Sequence, residues 1–494
     1  MKKIAPYSCI LTLALFVAGV FVFLRGNASA NSNESASWRY KVSPDLLGEL
    51  DRGDQNAECS VIATASGRLT KYHEDVLGAL GARLFPGRAL GLINGVSATM
   101  PLRAVKELAK RNDFSHISKD RPVKMLGHLE NTTGAAQIRN LISGIPGLNG
   151  SGIGIAILDS GIDESHHELN YAGSDRVVVD VDAGGFGNTF DFMGHGTHVA
   201  SVACGTNHIG PGAYTGIAPG ANIINVKVLD VNGTGYASQI INAINWCVTY
   251  RDVYNIRIIN LSLGTAAVDS YQNDPLCQAV RAAHDAGVVV VVAAGNDGKD
   301  AKGNKLYGTI ESPGIEPSAI TVGAANTYGT DSRADDGITS YSSRGPTRGY
   351  VQDAATGQTI YDNLIKPDLV APGNKIIAAE AYGADLVADY PQLDASQYET
   401  NPHHYLMCMS GTSVSAPVVS GAAALLLQEN PNLTPNQVKA ILTYTAQPLA
   451  GFNTLEQGAG EVNIDGAVRV ARLVKNLGSW ALNGQQMLNG SLPV

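Results

Sequence analysis

Four short segments carry residue types that together could perform acyl transfer at a carbonyl. The apolar run Ile155-Ala156-Ile157-Leu158 ends in Asp159, followed by Ser160-Gly161, which turns the chain away. A carboxylate at the carboxyl end of a strand faces the crevice where parallel sheets collect reactive groups, although a lone aspartate there would more often be a turn or helix cap. The second segment, Gly194-His195-Gly196-Thr197-His198-Val199-Ala200, opens a helix of small residues, and its glycines permit close backbone approach. Two histidines three apart would otherwise suggest zinc, but the glutamate that a metalloprotease helix places between them is missing. His195 is therefore read as a general base and His198 as a hydrogen-bonded core histidine.

The third segment, Ser410-Gly411-Thr412-Ser413-Val414-Ser415-Ala416-Pro417, runs into the small-residue stretch Val418 to Leu427. A serine at a helix start has main-chain N–H groups and a favourable dipole beside it, which suits a nucleophile whose attack creates an oxyanion. Pro417 is expected within the first helical turn, where its missing N–H is tolerated. An ordinary capping serine would explain one hydroxyl and leave the flanking glycine and proline unexplained. The fourth segment, Ala293-Ala294-Gly295-Asn296, follows the run Val288 to Val292. The Asn296 amide could complete an oxyanion hole with the main-chain N–H of Ser413; by itself it would read as a turn asparagine.

The elements that must position these groups alternate from about Gly150 onward. Apolar runs at Ile153–Leu158, Val177–Val181, Ile223–Leu229, Ile256–Leu263 and Val288–Ala294 interleave with helical stretches at Thr197–Cys204, Ser238–Tyr250, Pro275–Ala286 and Val414–Gln428. Near-continuous Val and Ile runs suit strands buried on both faces, and the alternation predicts an α/β domain with a mostly parallel sheet and crossover helices. Residues 31–124 read as a separate, small α+β domain: strands at Ser60–Ala65, Leu90–Met100 and Phe114–Ser118, helices at Tyr72–Leu80 and Leu102–Arg111, in a split βαβ order. Residues 477–494 form a tail rich in Gly, Asn and Gln.

Composition narrows the function. The 494 residues are 44% apolar and 16% charged, enough for a large core and more than one domain. A net charge of −9 speaks against nucleic-acid and anionic-membrane partners. Residues 31–124 hold 14 Lys+Arg against 11 Asp+Glu, whereas residues 125–494 hold 18 against 33, so the two pieces attract. Residues 1–30 read as a secretory signal: Lys2 and Lys3, an apolar run from Ile10 to Phe23, and Ala28-Ser29-Ala30 at the cleavage point. That run is short for a membrane span, which favours cleavage after Ala30, export, and no stable membrane association afterwards. Of the six cysteines Cys9 leaves with the signal and Cys59 lies in the separate domain of residues 31–124; the catalytic part keeps Cys204, Cys247, Cys277 and Cys408, as one or two disulfides or as buried thiols.

Together the four segments resemble the subtilisin-like serine peptidases, which carry Asp, His and Ser in that chain order. The resemblance runs from about Gly150 to Arg472 and includes Gly216-Ile217-Ala218-Pro219-Gly220, Asn260-Leu261-Ser262-Leu263-Gly264 and Lys366-Pro367-Asp368-Leu369-Val370-Ala371-Pro372-Gly373. It implies a three-layer fold over residues 125–476 and polypeptide substrates. The triad it implies is Asp159, His195 and Ser413, with Asn296 in the oxyanion hole and no cofactor needed for catalysis. It further implies that residues 31–124 are a propeptide that assists folding and blocks the cleft until cut away. Substrate-binding edges correspond to Ser262, Leu263 and Gly264 and to the stretch containing Ala294 and Gly295. Aligning Ser312-Pro313-Gly314 with the loop under the first specificity pocket puts Glu311 near its base, favouring Lys or Arg before the cut, and makes Lys124-Met125 a candidate processing bond. The loop Gly205 to Thr215 is shorter and poorer in oxygen ligands than the family's calcium loop, which implies that this site is absent; structural calcium at other acidic side chains stays open, with no ligand set readable.

Other readings fit less well. A catalytically silent relative acting as a binding module would not need all four groups. A dinucleotide site at Gly150-Ser151-Gly152-Ile153-Gly154 would place its glycines before the strand instead of after it. An α/β-hydrolase elbow would need a second glycine where Ser415 stands.

Overall fold

The computed structural model describes residues 37–120, 129–139, 147–170, 176–206, 208–209, 214–396 and 399–477. The chain divides between Val123 and Lys124 into two compact units. The signal-type segment, the Lys124-Met125 bond and the tail after Leu477 lie outside the described residues.

In the first unit, strands β1 (Glu58–Ala65), β2 (Arg83–Leu90), β3 (Gly95–Pro101) and β4 (Phe114–Lys119) form an antiparallel sheet in the order β2-β3-β1-β4. Helices Pro44–Arg52, Lys71–Ala79 and Leu102–Ala109 accompany it. Alternate β1 residues Cys59, Val61, Ala63 and Ala65 are buried, as a two-residue period requires for a half-buried sheet. The single strand expected over Leu90–Met100 is instead the end of one strand and most of the next, turning at Asn94 with φ 50°. Strand β2 escaped the sequence reading because Pro86-Gly87 interrupts it, a pair tolerated on an edge strand with an irregular register between Leu84 and Ala89. Helix Pro44–Arg52 also went unrecognised.

The second unit is built on strands β5 (Gly154–Asp159), β6 (Val177–Asp182), β7 (Asn222–Lys227), β8 (Ile256–Leu261), β9 (Val289–Ala293), β10 (Ile320–Asn326), β11 (Gly337–Ile338) and β12 (Leu369–Pro372). The order is β11-β10-β9-β8-β5-β7-β6, with β12 beside β10, and only β11 runs antiparallel. Strand β5 has β7 on one side and β8 on the other: the chain passes from β5 to the outer β6, back to β7, and then across to β8 and outward. That reversal opens a crevice at the carboxyl end of β5, where Asp159 is the last strand residue.

Both faces of this sheet are covered. Ile155 and Ile157 of β5, with Val289, Val291 and Ala293 of β9, pack on the layer containing helices His195–Cys204, Thr412–Glu429, Pro435–Thr445 and Ile464–Leu477. Ala156 and Leu158, with Val288, Val290 and Val292, pack on the layer of helices Ala237–Thr249 and Pro275–Asp285. Continuous apolar runs thus feed two cores at once, giving three layers. Strands β10 and β12 and the last two helices were not anticipated. Four residues of β12 are too few for a periodicity argument, but the Thr434/Gln437 capping box was a legible start signal for Pro435–Thr445.

Cys59, Cys204, Cys247, Cys277 and Cys408 carry free thiols, which answers the pairing question for the described residues. Burial pushes the Cys204 thiol up to about 11 and Cys247 further, so these behave as inert core groups.

Candidate active site

Asp159 and His195 meet across the crevice. Asp159 Oδ1 lies 2.7 Å from His195 Nδ1, and both side chains are buried. The same oxygen accepts the main-chain N–H of Ser160 at 2.8 Å, which holds the carboxylate in place. Behind them sits a second buried carboxylate that the sequence reading missed. Asp191 accepts from Ser160 Oγ, from Gly194 N–H and from both N–H and hydroxyl of Thr197, each at 2.8 Å. It satisfies donors that the start of helix His195–Cys204 would otherwise leave open, and so fixes the turn that presents His195. An acidic residue four positions before His195 was the available signal.

Burial by itself would lower the His195 pKa; the charge and hydrogen bond of Asp159, with Asp191 beyond it, outweigh that and hold it above the ordinary value. His198 is fully buried with Nε2 3.1 Å from the Ile376 carbonyl, and burial pushes its pKa down to about 4, which keeps it neutral and structural.

Ser413 is the second residue of the Thr412–Glu429 helix, and the glycine before that helix lies close to both polar groups: a Cβ at Gly411 would lie 2.9 Å from Ser413 Oγ and 3.6 Å from Asn296 Nδ2. The two polar ends therefore converge beside one glycine. Thr412 was also missed; its N–H and hydroxyl both donate to Asn296 Oδ1, at 2.9 and 3.1 Å. Because helix Thr412–Glu429 starts before Ser413, Pro417 is its sixth residue and lies in the second turn, not the first.

His195, Asn296 and Ser413 line one cleft of about 470 Å³ together with Ser262, Leu263, Gly264, Gly295 and Glu311. Ala294, expected at the substrate edge, does not line it. It is fully buried, its N–H donates to the Val322 carbonyl and its own carbonyl accepts from Glu311 N–H, so both main-chain groups are already used. Glu311 closes the space between the two edges: its neighbour Ser312 exchanges two hydrogen bonds with Thr265, at 2.8 and 2.9 Å. The carboxyl group lies against two glycines. A Cβ on Gly264 would fall on Glu311 Oε2, and one on Gly295 would lie 2.8 Å from its Cδ. Burial, then the charge of Asp297, raises the Glu311 pKa, and no Lys, Arg or His among the described residues pairs with it.

Among the described residues, no group of three or more His, Cys, Asp or Glu side chains is arranged to hold a metal ion, and no helix is long and apolar enough to cross a membrane.

Known proteins match this chain over most of its length. The profile described as "Subtilase family" matches residues 150–466. "Serine protease AprX" of Bacillus subtilis (strain 168) is 35% identical over 385 residues, covering 76% of this chain and 79% of that protein. "Subtilisin E" of the same organism is 31% identical over 411 residues, covering 82% and 88%. "Extracellular serine proteinase" of Thermus sp. (strain Rt41A) is 33% identical over 378 residues, covering 75% of each.

Proposed function

The chain belongs to the subtilase family and is a serine endopeptidase, and from that premise we propose that Ser413, His195, Asp159 and Asn296 carry the hydrolysis of its polypeptide substrates. Ser413 Oγ attacks the scissile carbonyl while His195 takes its proton and later delivers it to the leaving amine. Asp159 holds the imidazole tautomer with the proton on Nδ1, leaving Nε2 as the base. The oxyanion is met by Asn296 Nδ2 and the main-chain N–H of Ser413, and water then releases the acyl group. The observation that carries this reading is the 2.7 Å Asp159–His195 contact in the wall of the cleft that also exposes Ser413 and Asn296.

Substrate is read as an added strand between the edge at Ser262-Leu263-Gly264 and the cleft-lining residues Ala293 and Gly295, with main-chain pairing giving breadth. Selectivity then falls to the pocket closed by Glu311. A carboxylate without a cationic partner between two glycines favours Lys or Arg as the residue before the cut. This deepens the same reading, in that Glu311 acts only if acyl transfer occurs at Ser413.

The protein is exported and made as a zymogen in this proposal. The signal-type sequence of residues 1–30 and the extracellular Thermus relative support export. The compact unit before Lys124, with a charge balance opposite to the rest, supports a folding-assisting propeptide, since a parallel sheet of distant strands folds slowly. Expressing wild type and Ser413→Ala in parallel tests the assignment. The variant is expected to lose casein hydrolysis and to retain its N-terminal unit; casein hydrolysis that persists in the variant overturns it.

A further inference from the structure

Proline at the sixth position of the Thr412–Glu429 helix has a consequence for the nucleophile. In an α-helix, residue 417 would donate its N–H to the carbonyl of residue 413, four positions earlier. Pro417 has no N–H, and its ring crowds that carbonyl. The orphaned acceptor belongs to Ser413.

It is not left unpaired. Ser262 Oγ, just past the end of β8, lies 2.6 Å from the Ser413 carbonyl oxygen. The direction of this bond is fixed by its neighbours. Asn260 Nδ2 donates to Ser262 Oγ at 2.9 Å, and an amide nitrogen can only donate, so the serine proton points at Ser413. Asn260 Oδ1 in turn accepts from Ser420 Oγ at 2.8 Å. Ser262, Asn260 and Ser420 are all buried. The relay starts on the helix at Ser420, crosses to the end of β8, and returns to the same helix at Ser413.

We infer that Ser262 is a positioning residue for the nucleophile: its hydroxyl replaces the helix hydrogen bond that Pro417 removes and thereby sets the main-chain orientation of Ser413. Holding the Ser413 carbonyl restrains ψ at that residue, and with it the direction of the Cα–Cβ bond that carries Oγ toward the cleft. The contribution of Ser262 to substrate binding comes through its main chain, so its hydroxyl is free to serve this second purpose. The inference rests on Ser413 being the nucleophile; activity retained by Ser413→Ala would defeat that reading, whereas an indifferent Ser262→Ala would defeat only this one.

The test is steady-state kinetics on a chromogenic peptide substrate with the enzyme expressed as its full chain. Ser262→Ala keeps the main-chain edge and is expected to lower kcat about tenfold with KM unchanged, and Ser262→Thr to restore most of it. Pro417→Ala returns an N–H to the helix, so the Ser262→Ala loss should shrink to a few-fold or less in that background. If Ser262→Ala does not fold, Ser420→Ala, which loosens the far end of the relay, is expected to lower kcat with KM unchanged. An unchanged kcat, a rise in KM alone, or an equal Ser262→Ala loss with and without Pro417 overturns the inference.

Discussion

Thr412 donates twice to Asn296, through its main-chain N–H and its hydroxyl, and both bonds end on Asn296 Oδ1. The amide oxygen is thereby occupied, and Nδ2 is the group left facing the cleft beside Ser413. Asn296→Ala is expected to lower kcat by about 10²–10³ with little change in KM. That magnitude was established on a subtilisin, so it transfers within the family and is not an independent estimate. Asn296→Asp should fare no better, because a carboxylate offers no donor to the oxyanion. A KM effect without loss of kcat would remove Asn296 from the oxyanion hole.

In the proposed mechanism His195 must be neutral to accept the Ser413 proton. Its pKa is raised from 6.5, so kcat/KM is expected to climb with pH along an acid limb whose midpoint lies above that value. Asp191 is one of the causes, and Asp191→Asn removes its charge, so the limb should move to lower pH. The same substitution disturbs four hydrogen bonds at the helix start and should lower Tm. A pH–rate profile of both proteins checks the direction; a limb that stays in place or moves upward contradicts the electrostatic account.

Glu311 predicts a substrate ranking. At neutral pH kcat/KM for peptides with Lys or Arg before the cut should exceed those with Phe or Leu by roughly 10²-fold, since an apolar side chain covers the carboxylate without supplying a countercharge, leaving it the Asn296 main-chain N–H. Glu311→Gln should abolish most of that margin by lowering the Lys and Arg values. The carboxyl pKa is raised, so the margin should begin to fade as pH falls through a value above 4.5, when the group takes up its proton. Equal cleavage of all four peptides by the wild type would remove Glu311 as a specificity residue while leaving the peptidase assignment intact.

A preference for Lys carries over to processing. If the enzyme cuts its own chain after Lys124, N-terminal sequencing of the mature protein should begin at Met125, and Ser413→Ala should show no such new terminus. Lys124→Ala should slow release of residues 31–124 without changing casein hydrolysis by protein that has been released. A mature terminus within the residues that follow β5 would contradict the proposal, because β5 is central to the catalytic sheet.

Much of the candidate site was legible without coordinates, because the proposed groups stand in local patterns. Asp159 ends an apolar run, His195 sits between two glycines at a helix start, and Ser413 precedes a stretch of small residues; each is a strand end or helix start that a dozen residues define. Val and Ile runs likewise announced five parallel strands, since burial on both faces leaves no polar alternation.

Tertiary structure decided what depends on partners far apart in sequence. No local pattern links Asp191 to Ser160, Asn296 to Thr412, or Ser262 to Ser413 across 151 positions, because a hydrogen bond between distant segments leaves no periodicity behind. Ala294 looked like its neighbours in the Ala293-Ala294-Gly295 run, and only the sheet shows that its N–H and carbonyl are spent on Val322 and Glu311. Pro417 was visible from the start, but its meaning was not. Its cost is set by where the helix begins, and the group that offsets that cost comes from another strand.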